Sequence, residues 1–303
     1  MFFEGSEKKI EMITSPEWGS LRALGRNFWA QMVARAQADI LASLSNEHCD
    51  AWLLSESSLF VWHDRFLMLT CGTTRLVDAA LYFLDHVPLE HIRFASFQRK
   101  NEYQSHLQKT SFREDIDLLG QRMPGCAYRL GHLDGHHNFV FHLDKPYRPA
   151  PDDLTSELLM YHIRGEHADY LRSEGQDIEG IRRLLRLDEL LPGFALSDWL
   201  FEPFGYSMNA IRDDRYATIH ITPQEDSSYV SFETNLDLAS TPLVPILLNQ
   251  LNPGCWDLIR FHSQSLEKTL WPEKSLWPET ALPDNAPYQC LSTCEVPLGC
   301  SYH

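Results

Sequence analysis

The chain is short of positive charge: 26 lysines and arginines face 42 aspartates and glutamates, a formal net charge of −16 over 303 residues. Phosphate binding needs concentrated Lys and Arg, so this balance argues against a nucleic-acid partner or an anionic membrane surface. It suits a cationic small substrate, although acidity kept for solubility is the commoner cause of such a charge. Long apolar runs are missing too. None approaches the roughly 20 residues of a membrane span. Met1-Phe2-Phe3 passes straight into Glu4-Gly5-Ser6-Glu7-Lys8, without the apolar core of a signal peptide. The seven cysteines, at 49, 71, 126, 255, 290, 294 and 300, are odd in number and scattered. That is cytoplasmic thiol usage rather than a disulfide framework, so a cytoplasmic protein is expected.

What is present is ample material for a core, at 44% hydrophobic residues. It suffices for one large mixed domain or two packed halves. Helical spacing of apolar residues covers about 17–44 (Leu21, Leu24, Phe28, Met32, Ala36, Ile40, Leu44). Further helices are expected near 74–84, 113–122, 153–171 and 177–187. Strands are expected in the first ten residues, in a hairpin-like pair at 51–55 and 59–70, and at 91–97, 126–132, 138–143, 205–211, 216–222, 228–234 and 256–262. Two similar runs of strands and helices suggest two related halves. Pro-containing stretches at 144–151 and 192–203 are the candidate boundaries, and the echo of Leu270–Glu273 in Leu276–Glu279 reads as a surface linker.

One run carries a chemical possibility: Leu54-Ser55-Glu56-Ser57-Ser58-Leu59-Phe60-Val61. A serine following an acidic residue in an extended apolar segment could attack its own preceding carbonyl. An N→O acyl shift and β-elimination would then cut the chain before Ser57. Alone, such a run is more often a Ser-rich turn. Three other blocks accompany it: Phe2–Lys8 (FFEGSEK), Thr70–Thr74 (TCGTT), and Gly205–Leu236 with GYSMNA, TIHITP and SYVSFETNL.

In their order and spacing these four blocks resemble the eukaryotic-type S-adenosylmethionine decarboxylases, from residue 2 to about 236. The resemblance implies an α+β fold, a four-layer α/β/β/α sandwich of two antiparallel sheets with helices on the outer faces. It implies one domain over 1–303, cut between Glu56 and Ser57 into a β chain of 1–56 and an α chain of 57–303. Ser57 would become a pyruvoyl group, the covalent cofactor, which can form a Schiff base with the substrate amine and take up the electrons released with CO2. Neither pyridoxal phosphate nor a metal is expected. The product would be the aminopropyl donor for spermidine and spermine. The partners implied are S-adenosylmethionine and the chain's own cleaved N-terminal fragment, with monomer and homodimer both open.

Residue by residue, Cys71 matches the proton donor, and its place before Gly72 and a helix start is expected to lower its thiol pKa. Ser207 and His220 match the pair that drives self-processing, with His220 as base. Glu4 and Glu7 match an N-terminal acidic pair. Phe3 and Phe201 match the aromatics that sandwich adenine, near enough to a sulfonium for a cation–π contact. Leu54 and Glu56 would meet the adenine edge. Three departures stand out. Gln224 replaces a ribose-binding glutamate, Leu69 stands where a lysine often precedes TCGTT, and Lys9 stands where putrescine-activated members are apolar. Asp153, Thr155 and Glu157, with Glu11 and Glu233, resemble the acidic putrescine site of those members, and Lys9 could replace the diamine there.

Other readings stay on the table. Gln224 keeps alive a pyruvoyl decarboxylase of ornithine or arginine, and a non-catalytic regulatory paralogue is a third. His132, Asp134, His136, His137 and His142 could form a metal site, and Cys290, Cys294 and Cys300 carry similar low weight.

Overall fold

The computed structural model describes residues 7–100, 105–131, 136–225, 227–238, 241–262 and 289–297. The chain divides into two compact units, 1–147 and 148–303, so the first of the two Pro-containing stretches is the boundary. The second, 192–203, instead contains a strand.

The first unit is an eight-stranded sheet. Its strands are β1 (Lys8–Thr14), β2 (Ile40–Ser45), β3 (Asp50–Leu54), β4 (Ser57–Val61), β5 (Arg65–Thr70), β6 (Ile92–Lys100), β7 (Gly125–Gly131) and β8 (His137–Leu143). They run in the order β2-β3-β4-β5-β1-β6-β8-β7, and every pairing is antiparallel. Three helices, α1 (Gly25–Arg35), α2 (Leu76–His86) and α3 (Phe112–Gly120), pack on one face. That face takes alternate strand residues such as Ile10, Met12, Leu59, Val61, Phe66, Met68, Ala95 and Phe97, as the two-residue period of a strand requires. The intervening residues include buried polar groups, among them Lys9, Ser58, Ser96, Gln98 and Lys100.

The expected helix over 17–44 is corrected to a short one. Two 3-10 turns, Pro16–Trp18 and Leu21–Leu24, precede α1, and Gly25 at φ 78° sets the break before the regular helix. Beyond Ala36 the apolar spacing of Ile40 and Leu44 belongs to a strand.

The second unit is a seven-stranded sheet. It comprises β9 (Leu154–Tyr161), β10 (Ala195–Leu200), β11 (Tyr206–Arg212), β12 (Arg215–Thr222), β13 (Tyr229–Thr234), β14 (Cys255–His262) and β15 (Gln289–Pro297). Their order is β10-β11-β12-β13-β9-β14-β15. The pairings are antiparallel apart from β14 with the edge strand β15, which is parallel. Helices α4 (Glu166–Leu171), α5 (Ile178–Leu185), α6 (Leu187–Leu190) and α7 (Leu243–Leu251) supply apolar side chains to a core with this sheet. Residues 154–161, expected as helix, form the interior strand β9, buried along nearly its whole length. Two-sided burial erases the polar alternation that would have revealed it. Each unit is thus a mainly antiparallel sheet with helices, the α+β class expected. Among the described residues no helix is long and apolar enough to cross a membrane.

Candidate active site

Strands β3 and β4 form a hairpin whose loop is only Ser55-Glu56, with Leu54 facing Ser57 in register. Two-residue hairpin loops prefer the primed turns, whose positive φ values fall on the loop residues. Here the positive φ falls on Ser57, at 147°, immediately after the loop. A non-glycine residue in that region costs of order 1–3 kcal/mol and persists only when its surroundings impose it. Ser57 is 3% exposed and pairs with Thr70 of β5.

After β5 the chain turns through Cys71 and Gly72, the latter at φ 61°. Two donors from Cys71 converge on one atom. Its backbone N–H lies 2.9 Å and its Sγ 3.0 Å from the Glu56 carbonyl oxygen, the carbonyl of the Glu56–Ser57 bond. The Thr74 hydroxyl, 2.9 Å from both the Cys71 carbonyl and Thr70 Oγ1, closes the turn. On the other side Lys8 Nζ donates to the Gly72 carbonyl at 2.7 Å.

The electrostatics reverse one expectation. Burial, reinforced by the Glu56 and Glu7 carboxylates, pushes the Cys71 thiol well above its ordinary pKa rather than below it. The physical reason is burial, which penalises the thiolate more than the Lys8 charge favours it. A thiol held protonated is suited to giving a proton rather than to nucleophilic attack. The Glu56 carboxyl, 4.0 Å from the same sulfur, is also pushed up by burial, against the pull of Lys8 and Lys109. Glu7 is 3% exposed and forms an ion pair with Lys100 at 3.0 Å.

In the second unit, β11 and β12 set Ser207 opposite His220 and Asn209 opposite Thr218. Ser207 Oγ lies 2.7 Å from His220 Nδ1, and Thr218 Oγ1 lies 2.8 Å from His220 Nε2. Thr218 in turn donates to Asn209 Oδ1 at 2.9 Å. With its proton committed to Asn209, Thr218 accepts from Nε2–H, which leaves Nδ1 as the basic nitrogen facing Ser207. Thr218 and Asn209 were not singled out from sequence. Their signal was there, because Ser207/Asn209 and Thr218/His220 each lie two apart and share a strand face.

The remaining expected residues are dispersed. Phe201 is held by its N–H to the Gly205 carbonyl at 2.8 Å, and Gly205, at φ 146°, makes that close return. Gln224 follows β12, its Oε1 3.4 Å from Ser227 Oγ. Thr155 and Glu157 share one face of β9, Glu233 stands opposite Glu157, and Tyr216 donates to Glu233 at 2.7 Å. Asp153 precedes that strand. In the first unit Glu11 pairs with Arg65 at 3.4 Å, and Lys9, 1% exposed, stands directly across from Leu69. The two departures in lysine position are therefore register partners on neighbouring strands. Phe3, Glu4, His132, Asp134, Cys300 and the Leu-Trp-Pro-Glu echo lie outside the described residues. Among the described residues no three His, Cys, Asp or Glu side chains are grouped as a metal site.

With this geometry in place, comparison with known proteins decides the family. The adenosylmethionine decarboxylase pattern matches residues 1–290. The chain belongs to the adenosylmethionine decarboxylase family. It is 36% identical over 251 residues to an S-adenosylmethionine decarboxylase proenzyme of Leishmania donovani, an alignment covering 77% of this chain and 66% of that protein. It is 34% identical over 256 residues to the proenzyme of Xenopus laevis, covering 79% of this chain and 76% of that one. The chain thus spans just under two thirds of its Leishmania relative. Among solved structures it is similar to a Trypanosoma brucei AdoMetDC-delta26 monomer, with 28% identity and a TM-score of 0.50 over 65% of this chain and 76% of that one. The mainly antiparallel sheets with helices described above match that neighbour.

Proposed function

We propose that this chain is a self-processing, pyruvoyl-dependent S-adenosylmethionine decarboxylase that cuts itself between Glu56 and Ser57. The observation that carries the reading is the convergence of Cys71 N–H and Sγ on the Glu56 carbonyl oxygen, beside a serine held at φ 147°. Attack of Ser57 Oγ on the Glu56 carbonyl carbon breaks the C–N bond and leaves an ester. Negative charge grows on the carbonyl oxygen during that step, where the two Cys71 donors already point. Such preorganised donors stabilise the transition state without reorganisation.

Removal of the Ser57 α-proton by His220 then expels the Glu56 carboxylate. Tautomerisation to an imine and hydrolysis release ammonia and leave the pyruvoyl group. The site fits that group, because a planar α-carbonyl carbon has no chiral Cα for which the Ser57 backbone angle is costly. When formed, the pyruvoyl carbonyl supplies an electron sink for decarboxylating an amine-bearing substrate. Cys71, kept as a thiol, is assigned the proton returned to the α-carbon after CO2 leaves. Phe3 and Phe201 are assigned to the adenine, Leu54 and Glu56 to its edge, Gln224 to the ribose, and Glu4 and Glu7 to the acidic pair.

The N-terminal fragment stays bound on this reading. It contributes β1, hydrogen-bonded between β5 and β6, and β3, hydrogen-bonded to β4. Its loss would strip an interior strand from the sheet. We further assign Lys9 the positive charge that a diamine supplies in activated relatives, its partners being the carboxyl groups of Glu11, Asp153, Glu157 and Glu233 and the hydroxyl of Thr155, so that turnover needs no putrescine.

The test is denaturing mass spectrometry of the wild type and of Ser57→Ala, with CO2 release measured from S-adenosylmethionine, ornithine and arginine. Two chains, 1–56 and 57–303, are expected from the wild type and one intact chain from the variant. CO2 is expected from S-adenosylmethionine alone. An uncut wild type, or a Ser57→Ala chain cut at this bond, refutes the proposal.

A further inference from the structure

Lys8 is a charged side chain only 2% exposed, and it opens β1 in the same cross-strand row as the reaction centre. Lys8 faces Thr70, and Thr70 faces Ser57, across three adjacent strands. Burying an ammonium costs several kcal/mol unless something compensates for it. Its Nζ donates at 2.7 Å to the Gly72 carbonyl and at 2.7 Å to Gln108 Oε1. One of these acceptors belongs to the turn that carries Cys71. That turn is short and bent at Gly72, at φ 61°, so tying down its carbonyl limits how far the Cys71 backbone can move from the Glu56 carbonyl.

Resting on the function proposed above, we propose that Lys8 is a positioning residue for the chemistry at Cys71. Its ammonium clamps the Gly72 carbonyl and holds both Cys71 donors on the Glu56 carbonyl oxygen. It acts on more than geometry. Of the groups around Glu56 and Cys71, Lys8 is one whose charge favours the anionic form of each. The same charge opposes the cost of the oxyanion in the cut and of the new Glu56 carboxylate after it. Once the bond is cut, Lys8 belongs to the bound N-terminal fragment and Gly72 to the other chain. The clamp then bridges the two products at the proton donor.

The experiment follows self-cleavage of freshly translated chain on denaturing gels, then kcat and KM for S-adenosylmethionine on whatever cleaved enzyme forms. Lys8→Met is expected to slow cleavage by roughly 10–100-fold, up to the cost of misplacing a catalytic group by about 1 Å. It should lower kcat while leaving KM within about twofold, because Lys8 is assigned no substrate contact. Lys8→Arg, which keeps charge and donors, should recover most of the rate. Gln108→Ala, which removes the acceptor outside the turn, should stay within about threefold of wild type. Thermal melts identify the folded variants, and Lys8→Gln, a neutral donor, replaces Lys8→Met if the latter does not melt cooperatively. A wild-type rate in the folded neutral variant, or a rise in KM with kcat unchanged, overturns the role of Lys8. A wild type that never splits overturns instead the function on which it rests.

Discussion

Cys71 reaches one oxygen twice: its N–H and its Sγ stand 2.9 and 3.0 Å from the Glu56 carbonyl. The residue assigned the late proton transfer therefore already holds the carbonyl of the bond proposed for cleavage. The two duties can be separated by substitution. Cys71→Ala removes one donor and leaves the backbone N–H, so self-cleavage should slow by about 10-fold, the effect of losing one hydrogen bond to a developing charge. Cys71→Ser restores a donor and should cleave close to the wild-type rate. Its decarboxylation should remain low, because a hydroxyl is a weaker acid than a thiol. Gel time courses and CO2 release read the two effects independently, and equal cleavage by Cys71→Ala and wild type would remove the thiol from the first step.

The relay Asn209–Thr218–His220–Ser207 sets the tautomer of His220, and the valine isostere of Thr218 tests it. Thr218→Val leaves Nε2–H facing a methyl group and should favour the other tautomer, with Nδ1 protonated. Base strength toward the Ser57 α-proton then falls, while the acyl shift is untouched. Chains of Thr218→Val should therefore accumulate as the ester, cut at Ser57 by hydroxylamine but only slowly by themselves. His220→Ala should stall there completely. Prompt spontaneous cleavage by Thr218→Val would show that the relay does not govern elimination.

How much of this was legible in the sequence follows from what each element buries. The 51–70 hairpins and α2 were readable because turn residues and apolar runs alternate sharply there. The stretch 154–161 was not, because burial on both faces removes the polar half of the strand pattern. Leu154 and Leu158 then mimic a helical repeat. The Cys71–Glu56 contact depends on a turn geometry that no periodicity encodes. The His220 relay was closer to hand. The two-residue turn Asp213-Asp214 pairs Arg212 with Arg215, and counting back along both strands places Ser207 opposite His220 and Asn209 opposite Thr218. The chemistry of Lys8 was out of reach, since Gly72 and Gln108 lie 64 and 100 residues away along the chain.

Lys9 and Leu69 are register partners across β1 and β5, so one cation can be moved sideways by a single strand. Lys9→Leu alone should leave the enzyme dependent on an added diamine, with a several-fold rise in turnover on millimolar putrescine. Lys9→Leu/Leu69→Lys should recover part of the activity, since an ammonium returns to the neighbouring strand on the same face. The wild type should show no rise with putrescine. A wild type activated several-fold would sink the assignment of Lys9, whatever the variants do.

Glu56 supplies a pH signature. Burial raises its carboxyl pKa in the folded chain, so the fold resists the ionised form that the unfolded chain adopts readily. Below the ordinary carboxyl range of about pH 4 both states are protonated and the residue contributes no pH-dependent term. As pH rises through that range the unfolded chain loses its proton first, and stability falls until the folded carboxyl has ionised as well. Replacing the carboxyl by an amide removes that loss. In the uncleaved Ser57→Ala background, Glu56→Gln should raise the melting temperature by a few degrees near pH 7 and progressively less toward pH 4. Melts across that interval check the sign directly. A gain that grows toward acid pH would mean that the folded chain favours the carboxylate, and that Lys8 and Lys109 outweigh burial at this position.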